Sequence, residues 1–370
     1  MKLKKSNKNK RGGEYNDQQY LPPSFKLLGS GSFGCVIQPA LMKNTTDNYV
    51  DNNYVGKLFK SKDEFDDELR QLDIIKRYNI DPNNTFTVKL ITQNEININD
   101  IYNIQDVYKC ILDNHAENNN RSVYQIVLEN GGKSLHSLNT LNTSITFEKL
   151  IQILEPFLLG VQRMHSVGFV HLDIKPLNIL FNGDKLSLID FGLSTTSDNV
   201  FNENNKYILK SSNQYYYYPD DFLIANHMLQ YRYKKGEDFL NEMNTYINFD
   251  NAFNQALLSK HGEMNMHIVK NALNEYIRDI KEKFKNNLDG ITFENIFDRT
   301  MALKSDIYSL TSLFSKLNDI TTYDNFDKQK RERQENFVKE MFSYCKEHNP
   351  LKRKSINEIV SIFKLRVSQL

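Results

Sequence analysis

Two spacings of apolar residues alternate along the chain. From Ser24 to Val36, β-favouring residues flank a turn that carries Gly29, Gly31 and Gly34, which predicts strand, turn and strand. A polar stretch from Lys43 to Asn53 predicts a loop, and Tyr54-Val55-Gly56-Lys57-Leu58-Phe59 predicts a strand with Lys57 to one side. Helical spacing takes over between Ser61 and Tyr78, where Phe65, Leu69, Leu72, Ile74 and Ile75 form an apolar stripe behind an acidic first turn. Strand candidates follow at Phe86 to Ile91, Val107 to Leu112 and, most strongly, Ser122 to Leu128.

From Thr146 an amphipathic helix runs through Phe147, Leu150, Leu154, Phe157, Leu158, Val161 and Met164, and Gly168 closes it. Pro156 lies inside it, where an interior proline costs about 3 kcal/mol, so a kink is expected. Between Met164 and Gly192 short apolar runs (Gly168-Phe169-Val170, Ile179-Leu180-Phe181, Leu186 to Ile189) alternate with polar residues, a pattern of short buried strands whose ends fix polar groups. Farther on, Val269, Leu273, Tyr276, Ile277, Ile280 and Phe284 keep helical spacing. Ser355 and Glu358 form a capping-box pair before Ile356, Ile359, Val360 and Phe363.

Composition narrows the setting. At 370 residues and 39% hydrophobic, the chain fits one large or two smaller domains with a sizeable core. A net charge of +1 gives no general drive toward nucleic acid or a membrane surface. Cys35, Cys110 and Cys345 lie far apart, without the spacing of a zinc site or a disulfide framework, which implies a reducing, intracellular and cytoplasmic setting. No apolar run approaches the roughly 18 residues of a membrane span. Residues 1–24 are polar and basic with no periodicity and no signal-peptide core, the composition of a disordered tail. Abundant Asn, Lys, Ile and Tyr with no Trp suggests an AT-rich genome.

The candidate chemistry sits in the stretch from Met164. Asp173 is followed by Lys175 two residues on and Asn178 five on, and Asp190 stands twelve beyond Asn178. Any one of these could cap a turn, but the spaced set with buried flanks argues for a site. Asp173 suits a base that accepts a hydroxyl proton, and Asn178 and Asp190 offer the hard oxygen ligands that Mg²⁺ prefers. Upstream, Gly29-Ser30-Gly31-Ser32-Phe33-Gly34-Cys35-Val36 matches G-x-G-x-x-G, a pattern that dinucleotide folds share. Those folds continue into a helix; here Cys35-Val36-Ile37 favours strand and Pro39 soon ends it, so a hairpin over phosphates fits better.

This order and spacing resembles the eukaryotic-type protein kinase family, whose H-R-D-x-x-x-x-N loop and D-F-G triplet match His171 to Asn178 and Asp190-Phe191-Gly192. The resemblance implies an α+β, two-lobed fold over residues 25–370: a small β-rich lobe to about 129, a larger helical lobe after it, and ATP with Mg²⁺ between them. It implies that the glycine-rich turn from Gly29 to Val36 covers the phosphates and that Lys57 contacts them. Glu68 would be the partner of Lys57, with Glu64 as the alternative. Leu128 and Leu180 would line the adenine pocket, Lys175 would neutralise the transferring phosphoryl group, and Asn178 and Asp190 would hold metal. Lys175 with Pro176 is similar to serine/threonine kinases, whose partners are protein substrates. The alternatives are a pseudokinase scaffold and a small-molecule phosphotransferase of the same superfamily. The composition is similar to that of kinases from giant DNA viruses or AT-rich protists.

Three departures accompany the resemblance. Leu172 stands where many members have an arginine that binds a phosphorylated activation segment, and an aliphatic side chain cannot pair with phosphate. Pro219-Asp220 stands where the family has A-P-E, so Asp220 is the expected partner of Arg353. About eighty residues, roughly 222–303, intervene before Ser305-Asp306, where the family has a short connection; they read as a helical insertion. Asp306 is expected to accept hydrogen bonds from the backbone of the His171–Asp173 loop.

Overall fold

Antiparallel pairing organises the first third of the chain. The computed structural model describes residues 26–31, 34–43, 48–51, 53–59, 61–97, 122–138, 144–201 and 216–370. Strands β1 (Lys26–Gly31), β2 (Gly34–Gln38), β3 (Ala40–Lys43), β4 (Asn48–Asp51) and β5 (Tyr54–Phe59) come first; β6 (Leu90–Asn97) and β7 (Ser122–Glu129) follow helix α1 (Lys62–Arg77). Five of them form one sheet in the order β1-β2-β5-β7-β6. The β1–β2 turn closes with Gly31 opposite Gly34, and β2 then lies so close to β5 that a Cβ on Gly34 would sit 1.8 Å from the Leu58 carbonyl oxygen. Gly34 is required there by backbone approach, whatever the loop does chemically.

Two sequence expectations shift. The polar stretch expected as loop contains the β3–β4 hairpin, Ala40 opposite Asp51, because backbone pairing alone needs no apolar pattern. The strand expected at Phe86 begins only at Leu90, because Asp81 takes the backbone N–H groups of Thr85, Phe86 and Thr87. Those donors are then lost to a sheet ladder, and Phe86 is buried in an irregular segment instead. The candidate at Val107 to Leu112 and the tail to Ser24 lie outside the described residues.

The rest is mostly helical. Helix α2 (Phe147–Ser166) is capped by the Thr146 hydroxyl and continues through Pro156; Gly168 follows its end at φ 73°. Helices α3 (Asp221–Met228), α4 (Gly236–Phe249) and α5 (Asn251–Lys283) occupy the stretch read as an insertion, and α6 (Arg299–Ile320), α7 (Lys328–Cys345) and α8 (Ile356–Val367) complete the chain. Helix α5 bends at Gly262, whose φ of 74° and ψ of 165° suit glycine alone. The Ser355/Glu358 capping box is present at α8.

Two apolar clusters build the core. One gathers α2, α6, α7 and α8 around Ile179, Leu186, Leu188 and Phe191. The other gathers α3, α4 and α5 around Val170, Leu172, Tyr217 and Tyr218. Helix α6 serves both, giving Met301 and Ala302 to the second and Ile307, Leu310 and Leu313 to the first. Among the described residues no helix is long and apolar enough to cross a membrane. Cys35 is disulfide-bonded, against the expectation that the cysteines stay unpaired, whereas Cys345 is free and buried.

Candidate active site

The first half of the site is made by β5 and α1. Phe65 meets Phe59 edge-on at 5.6 Å, and this contact seats the helix on the sheet with Glu68 on the same buried face, one turn on. Lys57 Nζ lies 2.5 Å from Glu68 Oε2 and 2.8 Å from Asp190 Oδ1. Burial opposes the ammonium charge, but the Glu68 and Asp190 carboxylates outweigh it and hold Lys57 above its ordinary value. Burial likewise pushes Glu68 up against the pull of Lys57. Asp190 is half-buried; desolvation pushes its carboxyl up, yet the Lys57 charge wins and the carboxyl is lowered.

The second half hangs from Asp306 on α6. Its Oδ2 accepts the His171 N–H at 2.8 Å and its Oδ1 the Leu172 N–H at 2.9 Å, as expected from the sequence, while His165 Nε2 lies 3.1 Å from Oδ2. This buried carboxylate holds Leu172 at φ 65°, a left-handed conformation that costs a non-glycine residue roughly 1–2 kcal/mol. His171 then orders the loop: its Nδ1 accepts the Asp173 N–H at 3.1 Å, so its Nε2 carries the proton and donates to the Ile189 carbonyl at 3.2 Å. Burial keeps the His171 pKa below its ordinary value, in keeping with a neutral ring.

On that loop Asn178 Nδ2 donates to the Asp173 carbonyl at 3.0 Å and to Asp173 Oδ2 at 2.6 Å. Lys175 Nζ lies 2.9 Å from the same Oδ2 and also donates to the Tyr217 hydroxyl at 3.3 Å. Asp173 Oδ1 is buried and has no hydrogen-bond partner among the described residues. Burial raises the Asp173 pKa despite Lys175. Asp190 adopts φ 66° and ψ 71°, and Phe191 packs inward, edge-on to His171 at 4.8 Å.

The structure thus brings Lys57, Glu68 and Asp190 together, and Asp173, Lys175 and Asn178 together. Glu68 rather than Glu64 is the partner of Lys57. Gly29, Ser30 and Gly31 lie on β1 and Gly34, Cys35 and Val36 on β2, with Gly29 opposite Val36; Ser32 and Phe33 lie outside the described residues. Leu128 is half-buried at the end of β7, and Leu180 sits so close beneath Gly131 that a Cβ there would meet it at 2.7 Å. Val88 stands at the same distance and escaped the sequence reading. So did Tyr217, one of a run of four tyrosines with nothing in its spacing to single it out.

One pairing needs correction. Arg353 does not reach Asp220; its Nη2 lies 2.7 Å from Asp221 Oδ1, both side chains fully buried. Asp221 opens α3 one residue later, and Asp220 is taken by Lys260, His261 and His348. In a doublet of aspartates the sequence fixes the neighbourhood but not the partner.

The donor set fits a nucleoside triphosphate with a hard divalent cation. Asn178 commits only its Nδ2, leaving Oδ1 without a hydrogen bond among the described residues, and Asp190 likewise commits only Oδ1 to Lys57. The Asp190 side chain is 32% exposed, which leaves it room to take a ligand.

A sequence profile described as the protein kinase domain matches residues 24–220. The chain is 21% identical over 332 residues to mitogen-activated protein kinase spm1 of Schizosaccharomyces pombe, covering 84% of this chain and 70% of that protein. It is 28% identical over 182 residues to mitogen-activated protein kinase 4 of Arabidopsis thaliana, 48% of this chain and 41% of that one. A stress-activated protein kinase JNK of Suberites domuncula is 35% identical over 63 residues, 17% of this chain and 18% of the relative.

Proposed function

We propose, from the premise that the chain belongs to the protein kinase family, that it is a serine/threonine protein kinase. It transfers the γ-phosphoryl group of ATP, with Mg²⁺, to hydroxyls of protein substrates. The observation that carries this reading is Asp173 Oδ1, a buried carboxylate oxygen with no hydrogen-bond partner among the described residues, beside an Oδ2 held by Asn178 and Lys175. An acceptor hydroxyl supplies the missing partner, and Asp173 takes its proton as the oxygen attacks phosphorus.

Each remaining role follows from what the side chain holds. Lys57, kept charged and aimed by Glu68, binds the α- and β-phosphates. Backbone N–H groups between Gly29 and Val36 cradle the phosphates, while Val36, Leu128 and Leu180 enclose the adenine. Asn178 Oδ1 and Asp190 hold Mg²⁺, which neutralises phosphate charge and orients the γ-phosphoryl group. Lys175 neutralises the transferring group, and together with Pro176 it supports serine and threonine over a metabolite acceptor. The proposed organisation is a basic tail over 1–24, then a catalytic domain over 25–370. Its lobes meet near 129, and a helical insertion occupies about 222–303.

The test is incubation with radiolabelled ATP, Mg²⁺ and a basic protein acceptor, followed by phosphoamino-acid analysis. Label on serine and threonine is expected. Label on tyrosine alone overturns the specificity, and transfer that persists in Asp173→Ala removes Asp173 from the mechanism.

A further inference from the structure

The helices read as an insertion end their first arm, just before the Gly262 bend, with Lys260 and His261, and both side chains turn into the core. The Lys260 side chain is 3% exposed, and its Nζ lies 2.9 Å from Asp220 Oδ1 and also donates to the Tyr218 carbonyl. His261 Nε2 reaches the same Asp220 oxygen at 2.9 Å, and His348 Nδ1 reaches the other at 2.9 Å. Asp220 is fully buried with both oxygens engaged, and Lys260 and the two histidines hold its carboxyl well below the usual range in spite of burial. The ligand atoms of Asp220, His261 and His348 lie within 4.8 Å of one another, a spacing that a metal ion could use. Lys260 already holds the place of the cation on that carboxylate.

What these groups grip is the chain at Tyr217 and Tyr218. Tyr217, next to the held Tyr218, is buried, and its carbonyl accepts from Ser309 Oγ at 2.8 Å. Its hydroxyl accepts from Lys175, which is itself paired with Asp173. Leu172, where a phosphate-binding arginine could have stood, is buried in the same apolar cluster as Tyr217, Tyr218 and helix α5.

We propose that Lys260 and His261 are positioning residues for transfer to the protein acceptor, holding Asp220 and Tyr218 so that Tyr217 sets Lys175 beside Asp173. The helical segment 222–303 is then a permanent brace that does the ordering a phosphate does elsewhere. This rests on the kinase reading above.

The experiment compares wild type with Lys260→Met, His261→Leu and His261→Gln, and with Lys281→Met, whose exposed ion pair to Glu237 in the same segment involves neither Asp220 nor Tyr218. Acceptor phosphorylation, ATP affinity and amide exchange over 216–222 are read on each. Lys260→Met and His261→Leu are expected to lose roughly 10- to 100-fold in kcat/KM for the acceptor. Their exchange over 216–222 is faster and their ATP affinity unchanged. His261→Gln, which keeps a donor in place, and Lys281→Met stay near wild type. Unchanged exchange and transfer in the first two variants, or an equal loss of ATP affinity, overturns the brace. So does a transition metal seen on wild type by native mass spectrometry and lost in His261→Leu. A wild type that transfers no phosphoryl group sinks the kinase reading instead, while the exchange comparison still decides the brace.

Discussion

Two buried lysines each sit against carboxylates in this chain, and they do opposite work. At Lys57 the cluster is left open: the Asp190 side chain is partly exposed, and Asp173 keeps a buried oxygen with no partner among the described residues. At Lys260 the cluster is closed, with both oxygens of Asp220 engaged and the backbone of Tyr218 tied in as well. An unmet hydrogen-bonding capacity in a buried polar group is costly in the resting protein and is relieved by a ligand. A fully met one rigidifies whatever carries it. On the proposed reading the first cluster serves chemistry and the second architecture.

The comparison breaks first at Asp173. Asp173→Asn keeps the shape but removes the base, and acceptor phosphorylation is expected to fall about 10³-fold with nucleotide affinity retained. Thermal denaturation should move the other way, upward by about 0.5–1 kcal/mol, because the raised Asp173 pKa marks a carboxylate the fold holds at a disadvantage. A variant that loses both activity and stability would place Asp173 with the closed cluster. Next comes Arg353→Met, which strands Asp221 buried without its partner. It should lower stability by roughly 3 kcal/mol in a denaturant titration, since half a buried ion pair is worse than none. Asp190→Asn follows: Mg²⁺-dependent turnover should drop about 100-fold while the circular dichroism spectrum is unchanged, as one charged ligand to the phosphate-bound cation is lost. Turnover at the wild-type level would remove Asp190 from the metal site.

The two clusters also differ in how far the sequence disclosed them. Asp173, Lys175, Asn178 and Asp190 lie within eighteen residues on short strands and turns, so local spacing already implies their convergence. The strand of Lys57 and the amphipathic helix of Glu68 were legible from their residues, but pairing Glu68 rather than Glu64 with Lys57 rested on the resemblance to the family. Nothing comparable links Asp220, Lys260, His261 and His348. Their separations of 40 and 128 residues follow no period, and only the tertiary packing of α5 and of the chain after α7 brings them together. The same holds for Tyr217, whose hydroxyl meets Lys175 while its carbonyl is held by Ser309 and that of Tyr218 by Lys260, none of them at a sequence spacing that links them. Sequence patterning resolves faces of elements; which of two adjacent aspartates meets an arginine from another element depends on a rotation of about 100° at a helix start. That is why Asp221, and not Asp220, holds Arg353.

The finest separation between the clusters is in pH, because their two aspartates shift in opposite directions. Asp173 is raised by burial, so the form that accepts a proton is lost at a pH above the ordinary carboxylate value of about 3.9. Asp220 is depressed by Lys260 and the two histidines that face it. A carboxylate whose folded pKa lies below its unfolded one contributes stability that is complete above the unfolded value. That contribution drains away only as pH falls through it toward the folded one. On acidification turnover should therefore fail first, with the acid limb of kcat/KM lying above the midpoint of unfolding followed by circular dichroism. Asp220→Asn should leave the acid limb where it is. In that variant the stability difference from wild type is widest above about pH 5 and closes as pH drops. If turnover and fold are lost at one and the same pH, or if Asp220→Asn shifts the acid limb, the open and closed clusters are a single titrating unit and the distinction between them fails.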